Sequence, residues 1–171
     1  MALNLFEIKS AFQSIMSAAN TTTADYDLST GMRAAPGRPV QKVLTVNPDV
    51  IPVQASMFPF VTIFNGSKSV ELATMAGDQV RGKRMADLRF HVLGAVWCGQ
   101  TTRTTDDRSE EQVGYLMENV EEVLRRNFKL NGTVLWSKPE SIGYYTSILK
   151  NQEQDAQLRF GAMSLLCKIN Y

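Results

Sequence analysis

The sequence predicts an α+β domain in which two α-helices cover one face of a largely antiparallel β-sheet, in the order α-β-β-β-α-β-β. Apolar residues recur at helical spacing in residues 5–19 and again in residues 113–124, whereas several segments between and after them alternate apolar and polar residues, as strands do. The predicted strands come in consecutive runs. Antiparallel pairing with both helices on one face is therefore the simplest arrangement.

The composition is that of one ordinary globular domain. The 171 residues are 44% hydrophobic and 20% charged, which suffices to bury a core without metal or disulfides. Eighteen Lys and Arg against seventeen Asp and Glu give a net charge of +1, which disfavours sequence-specific DNA binding. The first residues lack the basic and apolar pattern of a secretion signal, so none is expected, and the longest apolar stretch, residues 55–64, is about half of a bilayer span. We expect one domain, residues 1–171, without a membrane partner.

The chain opens with a helix and continues into a polar segment. Asn4 and Glu7 have the spacing of a capping box ahead of the helix predicted over residues 5–19. Residues 20–38 are rich in Thr, Asp, Ser, Gly and Pro and show no periodicity, which predicts a long arm or loop. Because long loops in compact domains are commonly functional, we expect this arm to contact a neighbouring subunit.

Strand-like segments and turns fill the middle of the chain. Residues 40–46 and 58–64 are rich in strand-forming residues, with an irregular Pro-containing link between them. The turn dipeptide Asn65-Gly66 predicts a hairpin. The polar residues 77–87 predict an exposed basic loop, which leads into a half-buried strand over residues 88–98.

The last third repeats the pattern of a helix followed by strands. Ser109 opens a second capping box, and the helix that follows is expected to stop near Asn127. An Asn-Gly turn at residues 131–132 leads into a strand that begins at residues 133–136, and a closing strand is predicted over residues 158–169.

No catalytic, cofactor-binding or metal-binding site is predicted. His91 is the single histidine, and both cysteines, Cys98 and Cys167, lie in apolar strand-like runs that predict reduced, buried thiols. Neither nucleotide-binding glycine pattern occurs. The acidic residues at 106–111 could attract a divalent cation, but such residues ahead of a helix more often act as caps. A non-enzymatic protein is expected; an enzyme would need a pocket gathering His91, Cys98 and Asp106.

Two charged sets predict contacts rather than chemistry. The basic set is Arg81, Lys83 and Arg84, and the acidic set, on the polar side of the second helix, is Glu118, Glu121 and Glu122. The basic set is expected to pair with acidic residues of an adjacent subunit or to contact DNA, and a DNA-binding module would lose affinity steeply with salt. The acidic set is most simply a solvated face. Its functional alternative is a channel lining that repels DNA phosphates, so that DNA passes without sticking.

The sheet carries more large apolar residues than one buried face requires. Phe58, Phe60, Trp97 and Trp136 are the clearest of them, and we expect another subunit to bury them. Trp97 and Trp136 are therefore predicted interface residues.

Residues 123–136, Val-Leu-Arg-Arg-Asn-Phe-Lys-Leu-Asn-Gly-Thr-Val-Leu-Trp, resemble the tail terminator proteins of tailed bacteriophages. In that family a helix ends in a short Leu-x-Gly turn that leads into a strand, and a closing strand follows. Residues 58–64, Phe-Pro-Phe-Val-Thr-Ile-Phe, resemble the Pro-led strand of the same proteins. The resemblance covers most of the chain as an order of elements, and the chain departs from it at residues 20–38 and 46–57.

The resemblance implies a structural virion protein that is assembled in the host cytoplasm. Such a protein forms a hexameric ring in the neck, which caps the tail tube, ends tube polymerisation and joins the tail to the head connector. Its partners would be other copies of itself, the tail tube protein, the head connector or adaptor protein and, in a contractile tail, the sheath. Genomic DNA would pass through the ring without sequence-specific binding. The nearest alternative is a head-closure or connector ring protein of the same neck.

Overall fold

A computed structural model of the chain describes residues 4–20, 40–50, 54–72, 84–98, 109–151 and 154–170. Within these ranges, two α-helices and five strands follow one another in the predicted order α-β-β-β-α-β-β. They are α1 (Leu5–Ala19), β1 (Lys42–Leu44), β2 (Phe60–Leu72), β3 (Arg84–Cys98), α2 (Ser109–Arg126), β4 (Trp136–Asn151) and β5 (Gln154–Asn170). The predicted arm at residues 20–38 lies, apart from its first residue, outside the described residues.

The five strands form one sheet in the order β1-β2-β3-β5-β4. The short β1 pairs parallel to β2, and every other neighbouring pair is antiparallel. β3 and β5 pair along their whole common length at the centre of the sheet, and β4 lies outside β5. The predicted α+β class and the largely antiparallel sheet are confirmed.

α1 forms where the capping and the apolar spacing predicted it. The side-chain oxygen of Asn4 accepts hydrogen bonds from the backbone N–H groups of Phe6 and Glu7, two donors that the helix itself leaves unpaired. Its buried face is formed by Ile8, Ala11, Phe12, Ile15, Met16 and Ala19. This face packs into the main core, on the same side of the sheet as α2.

α2 lies over the centre of the sheet, where two glycines let it approach closely. Gly94 of β3 and Gly161 of β5 are register partners. A Cβ at Gly94 would lie 2.8 Å from Met117 Sδ, and a Cβ at Gly161 would overlap with Met117 Cγ. Leu116 and Met117 are fully buried against this pair. Because neither glycine has a side chain, α2 packs directly against the backbone of the sheet at this point.

The Asn65-Gly66 dipeptide does not make the predicted turn. β2 continues through it as far as Leu72, and its register with β3 shifts between Asn65 and Lys68, which is a β-bulge. A Cβ at Gly66 would lie 2.6 Å from the Arg89 carbonyl oxygen, so the close approach of the two backbones requires glycine. The prediction was wrong because an Asn-Gly pair fits both a tight turn and a bulge.

Three element boundaries also differ from the predictions. β1 has three residues instead of the seven expected over residues 40–46. β3 begins at Arg84, so residues 84–87 belong to a strand and not to the predicted loop. β4 begins only at Trp136, because Leu130, Asn131 and Gly132 adopt positive φ angles of 44°, 56° and 83° and form a turn ahead of it.

The face of the sheet opposite the helices carries a second, smaller apolar cluster. Phe58 and Phe60 are only 5% and 3% exposed, and the Phe58 ring lies 5.4 Å from that of Trp97. The segment before β2 folds back against this face, where the Thr62 hydroxyl donates to the Val46 carbonyl over 2.6 Å. The expectation that another subunit buries Phe58 and Phe60 was therefore wrong, because their own chain covers them.

The other half of this outer face is polar. Arg89 of β3 lies 3.7 Å from Glu140 of β4, across the intervening β5, and Lys168 of β5 lies 3.8 Å from Asp87 of the adjacent β3. All four side chains retain access to solvent, so these pairs contribute little to stability. This half of the outer face is therefore exposed to solvent.

Candidate assembly surface

The structure separates the residues that the sequence grouped as an interface. Arg81 and Lys83 lie outside the described residues, and the backbone of Arg84 pairs with Leu72 at the start of β3. Trp97 is partly buried against Phe58 in the outer-face cluster. Trp136 stands apart from these, because it lies at the start of the outermost strand and is 36% exposed.

The acidic set of α2 is largely neutralised within its own helix. Arg125 donates two hydrogen bonds to Glu121, at 2.6 and 2.9 Å, and Arg126 donates one to Glu122 at 3.0 Å. These are pairs four residues apart with the acid on the N-terminal side, the favourable order on a helix. Glu118 is exposed. The predicted repulsion of DNA phosphates consequently depends most on Glu118, and it stays a prediction.

Large apolar side chains are concentrated along β4 and the turn before it. Phe128 is 47% exposed and Leu135 44%, and along β4 itself Trp136, Tyr144 and Tyr145 are 36%, 50% and 56% exposed. β4 is the last strand of the sheet, and no described strand pairs with its outer side. At the start of β4 the Ser137 N–H already donates to the Phe128 carbonyl and Pro139 has no N–H, so within the described residues the outer backbone groups left open to another chain are those after Pro139. We call these five side chains, with the outer backbone of β4, the β4 edge surface.

The two tyrosines of the β4 edge surface lie on opposite faces of the sheet. Tyr144 pairs with Gly161 on the helix side, where burial raises the pKa of its hydroxyl and the charges of Glu118 and Glu121 raise it further. Tyr145 lies on the outer face, with its ring 6.1 Å from that of Phe160. A strand docking against β4 would therefore meet an aromatic side chain on each side of its backbone.

The opposite edge of the sheet is covered. The side chains of three residues in or next to α1 donate hydrogen bonds to backbone carbonyls of β1 and its flanks: Lys9 to Thr45, Gln13 to Val43 and Asn20 to Val40. Helices and polar side chains laid along an edge are a recognised way to prevent further strand addition. Within the described residues, the β1 edge of the sheet is thus capped and the β4 edge after Pro139 is open.

Of the groups that an enzyme would need, Cys167 and His91 do not meet, whereas the side chain of Cys98 and the whole of Asp106 lie outside the described residues. Cys167 is fully buried among the residues under the helices, and burial raises the pKa of its thiol to about 12. His91 lies on the other face, exposed, with its ring 5.3 Å from that of Phe64. Since alternate residues of a strand point to opposite faces, the sheet separates the two groups. Among the described residues, no three His, Cys, Asp or Glu side chains come together as metal ligands.

No protein-family model matches this sequence, and no curated protein matches it. Neither of the described α-helices has the length and apolar character that crossing a membrane requires. The β4 edge surface is therefore the best-defined candidate site that the structure offers.

Sequence reasoning found only one member of this surface on β4. Trp136 was predicted, whereas Tyr144 and Tyr145 were missed. A signal was present, because residues 143–149, Gly-Tyr-Tyr-Thr-Ser-Ile-Leu, form an uncharged run without proline and with high strand propensity. At the edge of a sheet such a run can pair with a strand of another chain, whereas at the centre both of its sides are already paired. Whether residues 143–149 form an interface therefore depends on the strand order.

Proposed function

We propose that this chain is a structural subunit of the head-to-tail neck of a tailed bacteriophage, where copies of it close into a ring that caps the tail tube, ends tube polymerisation and joins the tail to the head connector. The resemblance of residues 58–64 and 123–136 to tail terminator proteins supports this assignment, and it implies six copies in the ring. The observation that carries self-association is the β4 edge surface.

The asymmetry of the sheet determines the kind of contact that such a ring needs. A ring requires a heterologous contact, in which one patch of a subunit meets a different patch of the next. With β1 capped by α1, the β4 edge surface of one copy must meet a surface of its neighbour other than β1. A contact of β4 with β4 would instead be isologous and would stop at a dimer.

The β4 edge surface can stabilise such a contact to a useful but limited extent. Each additional backbone hydrogen bond contributes about 1 kcal/mol net. Trp136, Tyr144 and Tyr145 are between 36% and 56% exposed. Burying the exposed part of each aromatic side chain contributes on the order of 1 kcal/mol. A single contact between two subunits is then weak, because association also costs the subunits translational and rotational freedom. A closed ring is favoured because every subunit makes the contact on both of its sides.

Native mass spectrometry and negative-stain imaging of the purified chain test the proposal. We expect a discrete ring, and we expect Tyr145→Lys to dissociate it, because a lysine on an edge strand opposes strand pairing. Val70→Lys is the matched control: Val70 is 46% exposed, but it lies on β2, which two strands separate from β4. The control should keep the ring.

Two results would contradict the proposal. One is a ring that is equally stable in wild type and Tyr145→Lys, which would remove the β4 edge surface from the contact. The other is a phage that makes normal tails, joined to heads, without this chain, which would remove the neck function itself.

A further inference from the structure

α1 carries a polar stripe that serves the edge of the sheet and not the core. Lys9 and Gln13 are one helical turn apart, and Asn20 follows seven residues later, so all three share one side of the helix axis. The Lys9 amine lies 3.2 Å from the Thr45 oxygen, the Gln13 amide 2.9 Å from that of Val43, and the Asn20 amide 2.7 Å from that of Val40.

These contacts are not what holds α1 in place. Its apolar face already buries Ile8, Phe12 and Met16 to 2% exposure or less. Gln13 is itself exposed, and an exposed amide can find water as a partner equally well. What the stripe changes is the edge, because carbonyls that already accept a hydrogen bond are less available to an incoming strand.

We propose that α1 is a guard that closes a second strand-docking site at β1, and that the strand this site would otherwise accept is β4 of a second copy. The complementary element is in the same molecule, since β4 is an open edge strand with an uncharged, aromatic-rich run. This inference rests on the proposed self-association through the β4 edge surface.

The guard decides which surface of a neighbouring copy β4 can meet. If both edges were open, β4 of one copy would pair with β1 of the next, and each addition would leave another open edge at the end of the growing chain. Such a head-to-tail contact produces open filaments unless its rotation happens to close. With β1 guarded, β4 is left to the different surface that the proposed ring uses, a contact whose rotation closes and which therefore stops at a defined size.

The test removes the stripe and leaves the apolar face intact. In the triple variant Lys9→Ala, Gln13→Ala, Asn20→Ala, we expect the average mass in sedimentation velocity to rise continuously with protein concentration, beyond the defined wild-type species. The control is the triple replacement of the serines of α1 by alanine, which alters as many polar side chains of the same helix. It should sediment like the wild type. The serines are Ser10, Ser14 and Ser17.

Two additional variants make the result decisive. Adding Tyr145→Lys to the stripe variant should abolish the growth, because the incoming strand is then blocked. Gln13→Glu alone should promote growth without endangering the fold, since the carboxylate of an exposed residue cannot donate to the Val43 carbonyl. If both stripe variants keep their helical circular dichroism and sediment like the wild type, the guard inference is wrong. The ring proposal is judged separately, by the effect of Tyr145→Lys on the otherwise wild-type chain.

Discussion

Replacing Gly161 by alanine tests how closely α2 rests on the sheet that carries the assembly surface. The new Cβ would overlap with Met117 Cγ and would lie 3.2 Å from its sulfur and 3.3 Å from Tyr144 Cε1. Met117 is fully buried and cannot turn into solvent. Inserting a methyl group into a packed core costs about 1–3 kcal/mol, and the flexibility of methionine favours the middle of that range, about 2 kcal/mol.

Urea unfolding followed by tryptophan fluorescence, at concentrations where a single species sediments, measures this loss. For a slope of about 2 kcal/mol per molar urea, the midpoint of Gly161→Ala should fall by about 1 M. Met117→Ala alone should lower the free energy of unfolding by about 2–5 kcal/mol through the cavity it leaves. In the double variant the alanine at position 161 occupies part of that cavity, so the two losses should fall short of additivity by about 1 kcal/mol or more.

Gly114→Ala is the matched control. Gly114 lies within α2, and a Cβ there would meet no atom within 4 Å beyond its chain neighbours and the nearby backbone of its own helix. Because alanine favours the helix over glycine, this variant should be about 0.5–1 kcal/mol more stable than the wild type. The close packing of α2 on Gly94 and Gly161 would be refuted by either of two results. Gly161→Ala could be as stable as the wild type, or its effect could add fully to that of Met117→Ala.

Two further predictions concern single groups. Burial raises the pKa of the Cys167 thiol from 9.0 to about 12, so the unfolded chain loses this proton first. The resulting stability is fully present below about pH 9 and falls by about 1.4 kcal/mol per pH unit between about pH 9 and 12, a slope that Cys167→Ala should lack in urea unfolding at each pH. Parallel pH profiles would contradict this. Asn4→Ala should lower the free energy of unfolding by about 1 kcal/mol, because Phe6 and Glu7 lose their shared acceptor, whereas Asn4→Asp should keep most of it. An alanine variant of unchanged stability would mean that the cap contributes nothing.

Local patterns predicted the helices and the class of the fold because their causes are local. The capping residue Asn4 and the apolar spacing after it specify α1 wherever the helix is placed. The same holds for α2, with Glu110 and Glu111 in its first turn and Arg125 and Arg126 in its last, where the helix dipole favours them. Consecutive strand runs then indicated antiparallel pairing, which the sheet confirms.

The candidate site was predicted only in part, because membership in it depends on strand order. Nothing near Tyr144 and Tyr145 in the sequence says whether β4 is central or outermost, so a run typical of a buried strand could not be recognised as an open edge. Conversely, Phe58 and Phe60 read as surplus apolar residues in the sequence, because the side chains that bury them, such as Ala95 and Leu158, lie on distant strands.

By itself, the sequence determined which residues form helices, that the strands pair mainly antiparallel, and which helix faces are buried, since each follows from spacing or order along the chain. The tertiary structure alone decided that Asn65-Gly66 is a bulge, that α1 caps β1 and that β4 is the outermost of the described strands. Each of these depends on backbones or side chains that meet across long separations in sequence, where an approach such as that of Gly66 to the Arg89 carbonyl overrides the local preference of the chain.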